Sequence, residues 1–124
     1  MARILVADDA SFMRQIIRDI LEAEGHEIVA EASDGIQAVE EWKKHHPDLV
    51  TMDIVMPRRS GIDAVRGIVA LDPKARIVMC SALGQEAMVR KAIALGARDF
   101  IVKPFDAERV LAAVSDYARR LLTA

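Results

Sequence analysis

Three aspartates and one lysine stand at the ends of short apolar runs in this chain. Arg3-Ile4-Leu5-Val6-Ala7 runs into Asp8 and Asp9, Asp48-Leu49-Val50-Thr51-Met52 into Asp53, and Asp99-Phe100-Ile101-Val102 into Lys103-Pro104. If these runs are parallel strands of one sheet, all four charged groups gather at its carboxyl edge. Crowded carboxylates repel one another, so such a set calls for a divalent cation with oxygen ligands. A lysine opposite them supplies a compact charge suited to a transferred anion. Ser81 follows a fourth run, Arg76-Ile77-Val78-Met79-Cys80, and adds a hydroxyl at the same edge. Together these residue types suit acceptance of a phosphoryl group, a transfer that needs positioning and charge neutralisation more than covalent machinery.

The elements that must hold these groups alternate five times between strand-like and helix-like segments. After Asp9, Met13, Ile16, Ile17, Ile20 and Leu21 fall at helical spacing up to Gly25. Glu27 to Ala32 reads as a strand, and Asp34-Gly35 opens a helix with Ile36, Val39 and Trp42 inward, closed before Pro47. His45 and His46 are expected there as solvated helix-end residues rather than metal ligands. Beyond the Asp53 strand and the loop Met56 to Gly61 comes a helix carrying Ile62, Val65, Ile68 and Val69. The Arg76 to Cys80 strand leads to a fourth helix with Met88, Ala92 and Leu95 inward, Val89 and Ile93 widening its apolar stripe. The last strand is followed by a helix with Val110, Val114, Tyr117 and Leu121. Such (βα)5 alternation, with strands that are apolar on both sides, predicts a parallel sheet covered by helices on both faces, with ligands beyond the strand carboxyl ends. At 124 residues and 52% hydrophobic content, the chain has room for one domain over 1–124, burying roughly 65–70% of its unfolded surface.

The pieces Asp8-Asp9, Asp53-Ile54-Val55-Met56-Pro57 with Gly61, Ser81-Ala82 and Lys103-Pro104-Phe105 resemble, in type, order and spacing, the response-regulator receiver domain, and most closely its stand-alone chemotaxis members. The likeness spans essentially the whole chain. It implies a flavodoxin-like three-layer sandwich with strand order 2-1-3-4-5, which the alternation alone does not fix. It further implies that Asp53 is the phosphoacceptor, attacking a phosphohistidine on a histidine kinase of the chemotaxis type. Asp9, Asp53 and the backbone carbonyl of Val55 would hold Mg²⁺, with Asp8 acting mostly through a water. Lys103 would pair with the phosphoryl oxygens, and the Ser81 hydroxyl would turn to them after transfer. Phe100 matches the aromatic position that changes rotamer, and the Lys103–Pro104 peptide would be cis. The implied output is a surface formed by the fourth helix, fifth strand and fifth helix, which meets a flagellar motor switch protein, with a phosphatase as a further partner. No turnover of a small molecule is implied beyond the domain's own phosphorylation and dephosphorylation.

The chain also departs from common family patterns. Val55 and Leu83 are apolar where many members carry polar side chains near the attacking water, so slow phosphoryl loss is expected. Phe100 lacks the hydroxyl of the tyrosine often found there. Arg58 and Arg59 set two positive charges beside the pocket.

Charge is lopsided. Residues 1–53 carry 5 Lys and Arg against 12 Asp and Glu, whereas residues 54–124 carry 12 against 7. With neither aromatic interleaving nor a recognition-helix pattern in the basic half, nucleic-acid contact is not expected, and an acidic protein partner is. Apolar stretches of four or five residues cannot span a bilayer, so no membrane contact is expected. Met1-Ala2-Arg3 enters the first strand at once and the single cysteine, Cys80, reads as an inert buried thiol, so a cytoplasmic monomer is expected. Three rivals remain. A flavodoxin-like cofactor binder would need a Ser/Thr-rich phosphate loop where this chain has two carboxylates. A haloacid-dehalogenase-type phosphatase would need an Asp-x-Asp run. A receiver of another pathway, serving a phosphorelay or trimmed from a transcription factor, shares every motif above.

Overall fold

The computed structural model describes residues 1–123, with side chains through Ser115. Five strands alternate with five helices: β1 (Arg3–Ala7), α1 (Ser11–Ala23), β2 (Glu27–Ala32), α2 (Gly35–His45), β3 (Leu49–Asp53), α3 (Gly61–Leu71), β4 (Ile77–Ser81), α4 (Glu86–Leu95), β5 (Asp99–Val102) and α5 (Ala107–Thr123). All strand pairs are parallel and the order is β2-β1-β3-β4-β5. This is the doubly wound α/β sandwich that the alternation and the resemblance predict. The chain runs outward from β1 to β2 and then crosses to β3, so the switch point of the sheet lies between β1 and β3. A crevice forms there because the two connections leave in opposite directions.

Successive side chains of each strand go to opposite faces, and both faces are covered. Leu5, Ala7, Val50, Met52, Ile77 and Met79 pack with Trp42 of α2, Val65 and Ile68 of α3 and Ala92 of α4. Ile4, Val6, Leu49, Val78, Cys80 and Ile101 pack with Ile17 and Leu21 of α1 and Val110, Ala113 and Val114 of α5. Neither face of the central strands can then take a polar side chain cheaply, which is why β1, β3 and β4 read as near-continuous apolar runs, with Thr51 the buried exception, whereas the edge strand β2 carries Glu27 and Glu31. Cys80 is buried in the second layer, and burial pushes its thiol pKa up, away from reactivity.

Helix ends follow local chemistry. The Asp34 carboxylate caps α2 by accepting from the Gln37 N–H at 2.8 Å, and the Ser60 hydroxyl caps α3 by accepting from the Asp63 N–H at 3.2 Å. At the other end of α2, His45 pairs with Glu41 and the His46 ring lies edge-on to Trp42, so both histidines are used in finishing the helix. Two expected faces shift. β4 extends to Ser81, which brings that hydroxyl inside the strand. The side of α4 that meets the core is set by Val89 and Ala92, with Met88 exposed and Leu95 only half-buried. The helix is rotated from the expected stripe where it packs on α3 and β4. At its end Gly96 abuts Val69, whose side-chain carbons would lie 3.0–3.7 Å from a Cβ on the glycine. On α1 and α2, Ile16 and Ile36 are exposed. Tyr117 and Leu121, expected inward on α5, lie outside the residues whose side chains are described.

Gly61 decides how closely the β3–α3 connection can return to the sheet. Its N–H donates to the Ile54 carbonyl at 2.7 Å, and a Cβ at this position would lie 1.9 Å from the Asp53 carbonyl oxygen. A backbone oxygen has no room to yield, so Gly61→Ala should destabilise the fold by about 3 kcal/mol or more. Gly25, at φ +86° with open space around it, should lose only about 1 kcal/mol on substitution by alanine. Urea denaturation of the two variants checks the ranking, and a Gly61→Ala protein as stable as Gly25→Ala would contradict it.

Candidate functional site

The crevice at the β1–β3 switch point collects the acidic residues. Asp8 and Asp9 follow β1, and Asp53 ends β3. Asp8 is 1% exposed and Asp53 6%, while Asp9 is open to solvent. One carboxylate oxygen from each lies within 4.8 Å of the others. From the β5 side, the Lys103 ammonium reaches into this set, 3.0 Å from Asp8 Oδ2 and 3.1 Å from Asp53 Oδ1. The Lys103–Pro104 peptide that aims it is cis.

The charges shape one another. Burial, reinforced by the neighbouring Asp8 and Asp9 carboxylates, pushes the Asp53 carboxyl up to about 6, even though Lys103 pulls the other way. Burial alone would lower the pKa of Lys103. The Asp8 and Asp53 carboxylates outweigh it, so the ammonium is held charged more firmly than usual. Asp8 Oδ1 accepts from the Ala10 N–H at 2.9 Å, and the Arg14 guanidinium donates to the Asp8 carbonyl at 2.6 Å, which fixes the turn after β1. Asp8 Oδ2 is buried, with the Lys103 ammonium at 3.0 Å as its one partner. An all-oxygen donor set with one acceptor left in that state fits a hard divalent cation such as Mg²⁺.

The remaining predicted residues line the approach. Ser81 is buried, and its hydroxyl donates only a long 3.5 Å bond to the Ile101 carbonyl. Phe100 is 42% exposed on β5. Between it and Ser81 opens a cavity of about 250 Å³, bordered by Leu83, Val89, Arg90 and Val102. Val55 and Leu83 are exposed beside the pocket.

Arg58 departs from expectation. It does not stand as a free positive charge beside the pocket. Its guanidinium turns to Asp34, with Nε 3.0 Å from Asp34 Oδ2 and Nη2 on the same oxygen. Asp34 is itself buried, and its carboxyl is held below the usual range by the Gln37 N–H and by Arg58. Neither Asp34 nor Arg14 figures among the residues singled out for chemistry from the sequence. The Asp34-Gly35 helix opening is visible there as a cap, but its partner 24 positions away is not.

Comparison with known proteins agrees with this geometry. The family model described as "Response regulator receiver domain" matches residues 4–115. The chain is 60% identical over 113 residues to the chemotaxis protein CheY of Bacillus subtilis, covering 91% of this chain and 94% of that protein. It is 50% identical over 117 residues to the chemotaxis protein CheY of Thermotoga maritima, covering 94% and 98% respectively. Among solved structures, a chain in the crystal structure of the CheX-CheY-BeF3-Mg²⁺ complex from Borrelia burgdorferi superposes with a TM-score of 0.88 at 40% identity, over 92% of this chain and 87% of that one.

The raised carboxyl has a thermodynamic consequence. A group whose pKa is higher folded than unfolded holds its proton longer in the folded state, so its contribution falls as pH rises from about 4 to about 6. In metal-free protein at pH 8, Asp53→Asn should therefore raise the unfolding free energy by about 1–2 kcal/mol, and the gain should shrink toward pH 4. Urea denaturation in EDTA across that range checks it. A variant less stable than the parent at pH 8 would show that the Lys103 pair outweighs burial and repulsion.

Proposed function

The chain belongs to the response-regulator receiver family, and from that premise we propose that residues 1–124 form one receiver domain whose Asp53 accepts a phosphoryl group from a phosphohistidine of a chemotaxis-type histidine kinase. The observation that carries this reading is the Lys103 ammonium held 3.1 Å from the Asp53 carboxylate at the edge of an acidic crevice. A carboxyl titrating at about 6 is mostly ionised at neutral pH and free to act as nucleophile. One of its oxygens forms a bond to phosphorus as the phosphorus–nitrogen bond breaks, and the released imidazole keeps the electron pair and takes a proton from solvent. The negative charge that arrives needs partners in place beforehand, because a buried site has no water to reorganise around it. Lys103 is one such partner.

Receiver domains bind Mg²⁺ at an acidic pocket of this kind. Here Asp9, Asp53 and the Val55 carbonyl would hold the ion, with Asp8 acting through a water, and the bound cation supplies neutralisation of the carboxylates and of the phosphoryl oxygens. The chain's own residues do the rest. The Ser81 hydroxyl exchanges its weak bond to Ile101 for a phosphoryl oxygen, and the Phe100 ring moves from its exposed position into the cavity beside Ser81. Exposed Val55 and Leu83 offer no hydrogen bond to an attacking water, so the acyl phosphate decays slowly.

The output surface comprises α4, β5 and α5. Met88, Ile93, Phe100 and Val102 are exposed there beside the exposed charges of Arg90, Lys91 and Arg98. An apolar strip within a basic rim suits an amphipathic helical segment with acidic residues, and the partner we assign is a flagellar motor switch protein. A partner that prefers the inward Phe100 packing shifts the population of the regulator toward it. Phosphatase action on Asp53 in trans completes the cycle. The protein acts as a cytoplasmic monomer. Among the described residues no helix is long and apolar enough to cross a membrane.

Two outcomes test the reading. Incubation with Mg²⁺ and acetyl phosphate, followed by mapping of the modified residue, should place the label on Asp53, and Asp53→Asn should carry none above background. Label persisting at full level in that variant would refute the assignment.

The second concerns the partner. Combined Lys91→Glu and Arg98→Glu should weaken binding of the phosphorylated protein to the motor switch protein by about tenfold, chiefly through slower association. Labelling of Asp53 should stay at the parent level. Unchanged affinity measured by biolayer interferometry would place the output elsewhere on the molecule.

A further inference from the structure

The β3–α3 loop is fastened to the start of α2 by three contacts that the chemistry of the pocket does not itself require. The Arg58 guanidinium binds Asp34 Oδ2 through Nε and Nη2. The Gly35 N–H donates to the Arg59 carbonyl at 2.9 Å. The approach there is so close that a Cβ on Gly35 would lie 2.4 Å from that oxygen. Asp34 is buried and committed on both oxygens, Oδ1 to the Gln37 N–H and Oδ2 to Arg58. Arg58 meanwhile holds a left-handed backbone, φ +64°, a conformation that a residue with a Cβ rarely adopts. A strained backbone persists only where its surroundings support it, and here the Arg59 N–H on the Pro57 carbonyl at 2.7 Å closes the turn around Arg58 while the buried Asp34 carboxylate holds its side chain. Toward the sheet the same loop is closed by the Gly61 N–H on the Ile54 carbonyl, so the span from Val55 to Arg58 is anchored at both ends.

We infer that Asp34 and Arg58 form a positioning pair that fixes the Val55 carbonyl where a cation shared with Asp9 and Asp53 needs it. This rests on the receiver reading, in which that carbonyl is a ligand. A backbone oxygen has no side-chain rotamer with which to adjust, so its place is set entirely by the loop that carries it. A cation that demands near-ideal octahedral geometry is sensitive to such placement. The pair acts at one remove from the ion, as residues behind metal ligands commonly do. It touches neither the phosphoryl group nor the ion.

The test uses substitutions that spare local structure. Asp34→Asn keeps an oxygen to cap α2, and Arg58→Asn suits the left-handed backbone, while each removes the ion pair. Calorimetric titration of the whole protein with MgCl₂, in the absence of any phosphodonor, should show each variant binding about tenfold more weakly than the parent. The double variant should bind no more weakly than either single one, and Arg58→Lys should recover part of the loss. A purely structural role would lower resistance to urea in all of them and leave Mg²⁺ affinity unmoved, and that result would overturn the inference. Additive losses in the double variant would overturn it as well. A parent protein that binds no Mg²⁺ would instead sink the proposed cation site of Asp9, Asp53 and Val55, and this inference with it.

Discussion

Everything at the carboxyl edge of this sheet answers to the mutual repulsion of Asp8, Asp9 and Asp53. Three carboxylates within reach of a single ion cannot rest easily together, and the Asp53 carboxyl, raised first by burial and then by its acidic neighbours, records part of the tension. Lys103 relieves part of it by bridging Asp8 and Asp53, but one ammonium cannot balance three negative charges. The excess is a standing affinity for cations. It is tolerable because the layers on both sides of β1, β3 and β4 are apolar apart from the buried Thr51, so that the sheet, not the site, carries the stability. A crevice held open against its own charge is poised for an incoming group that brings a metal or accepts a lysine.

The architecture was legible in the sequence because two-sided burial leaves a distinctive trace. Val50, Met52, Ile77 and Met79 go to one layer while Leu49, Val78 and Cys80 go to the other, and both demands are apolar. Asp53 and Lys103 stood out because they interrupt such runs where the chain leaves the sheet. Helix faces were less legible. On α4 the choice between Met88 and Val89 depends on how the helix rolls against α3 and β4, and both are apolar, so the pattern admits either. The Arg58–Asp34 pair was not legible at all. Arg58 looked like a surplus positive charge next to the pocket, since nothing in the sequence shows that a left-handed turn will direct it to a buried carboxylate on α2.

The two sides of the crevice are built differently, and that difference gives the site a direction. On the α2 side, the β3–α3 loop is tied by the exposed Arg58 guanidinium on the buried Asp34 carboxylate, a backbone bond from Gly35 and the tight Gly61 closure. On the α4 side, the β4–α4 connection bonds mainly to itself: the Ala82 N–H to the Gln85 side chain at 2.7 Å, and the Gln85 N–H back to the Ala82 carbonyl at 3.3 Å. Leu83 at its tip is 84% exposed, and the cavity behind it leaves Phe100 room to move. A new charge at Asp53 acts on both walls, but only one can respond at low energetic cost. A rearrangement that began in the tied wall would have to strip the buried Asp34 carboxylate of its charge partner, whereas one in the open wall exchanges a 3.5 Å hydroxyl contact for a stronger one and fills an empty space. In the proposed function, the path from Asp53 to the α4–β5 surface therefore follows from unequal stiffness around one electrostatic centre. No chain of special couplings needs to be supposed beyond Ser81 and Phe100.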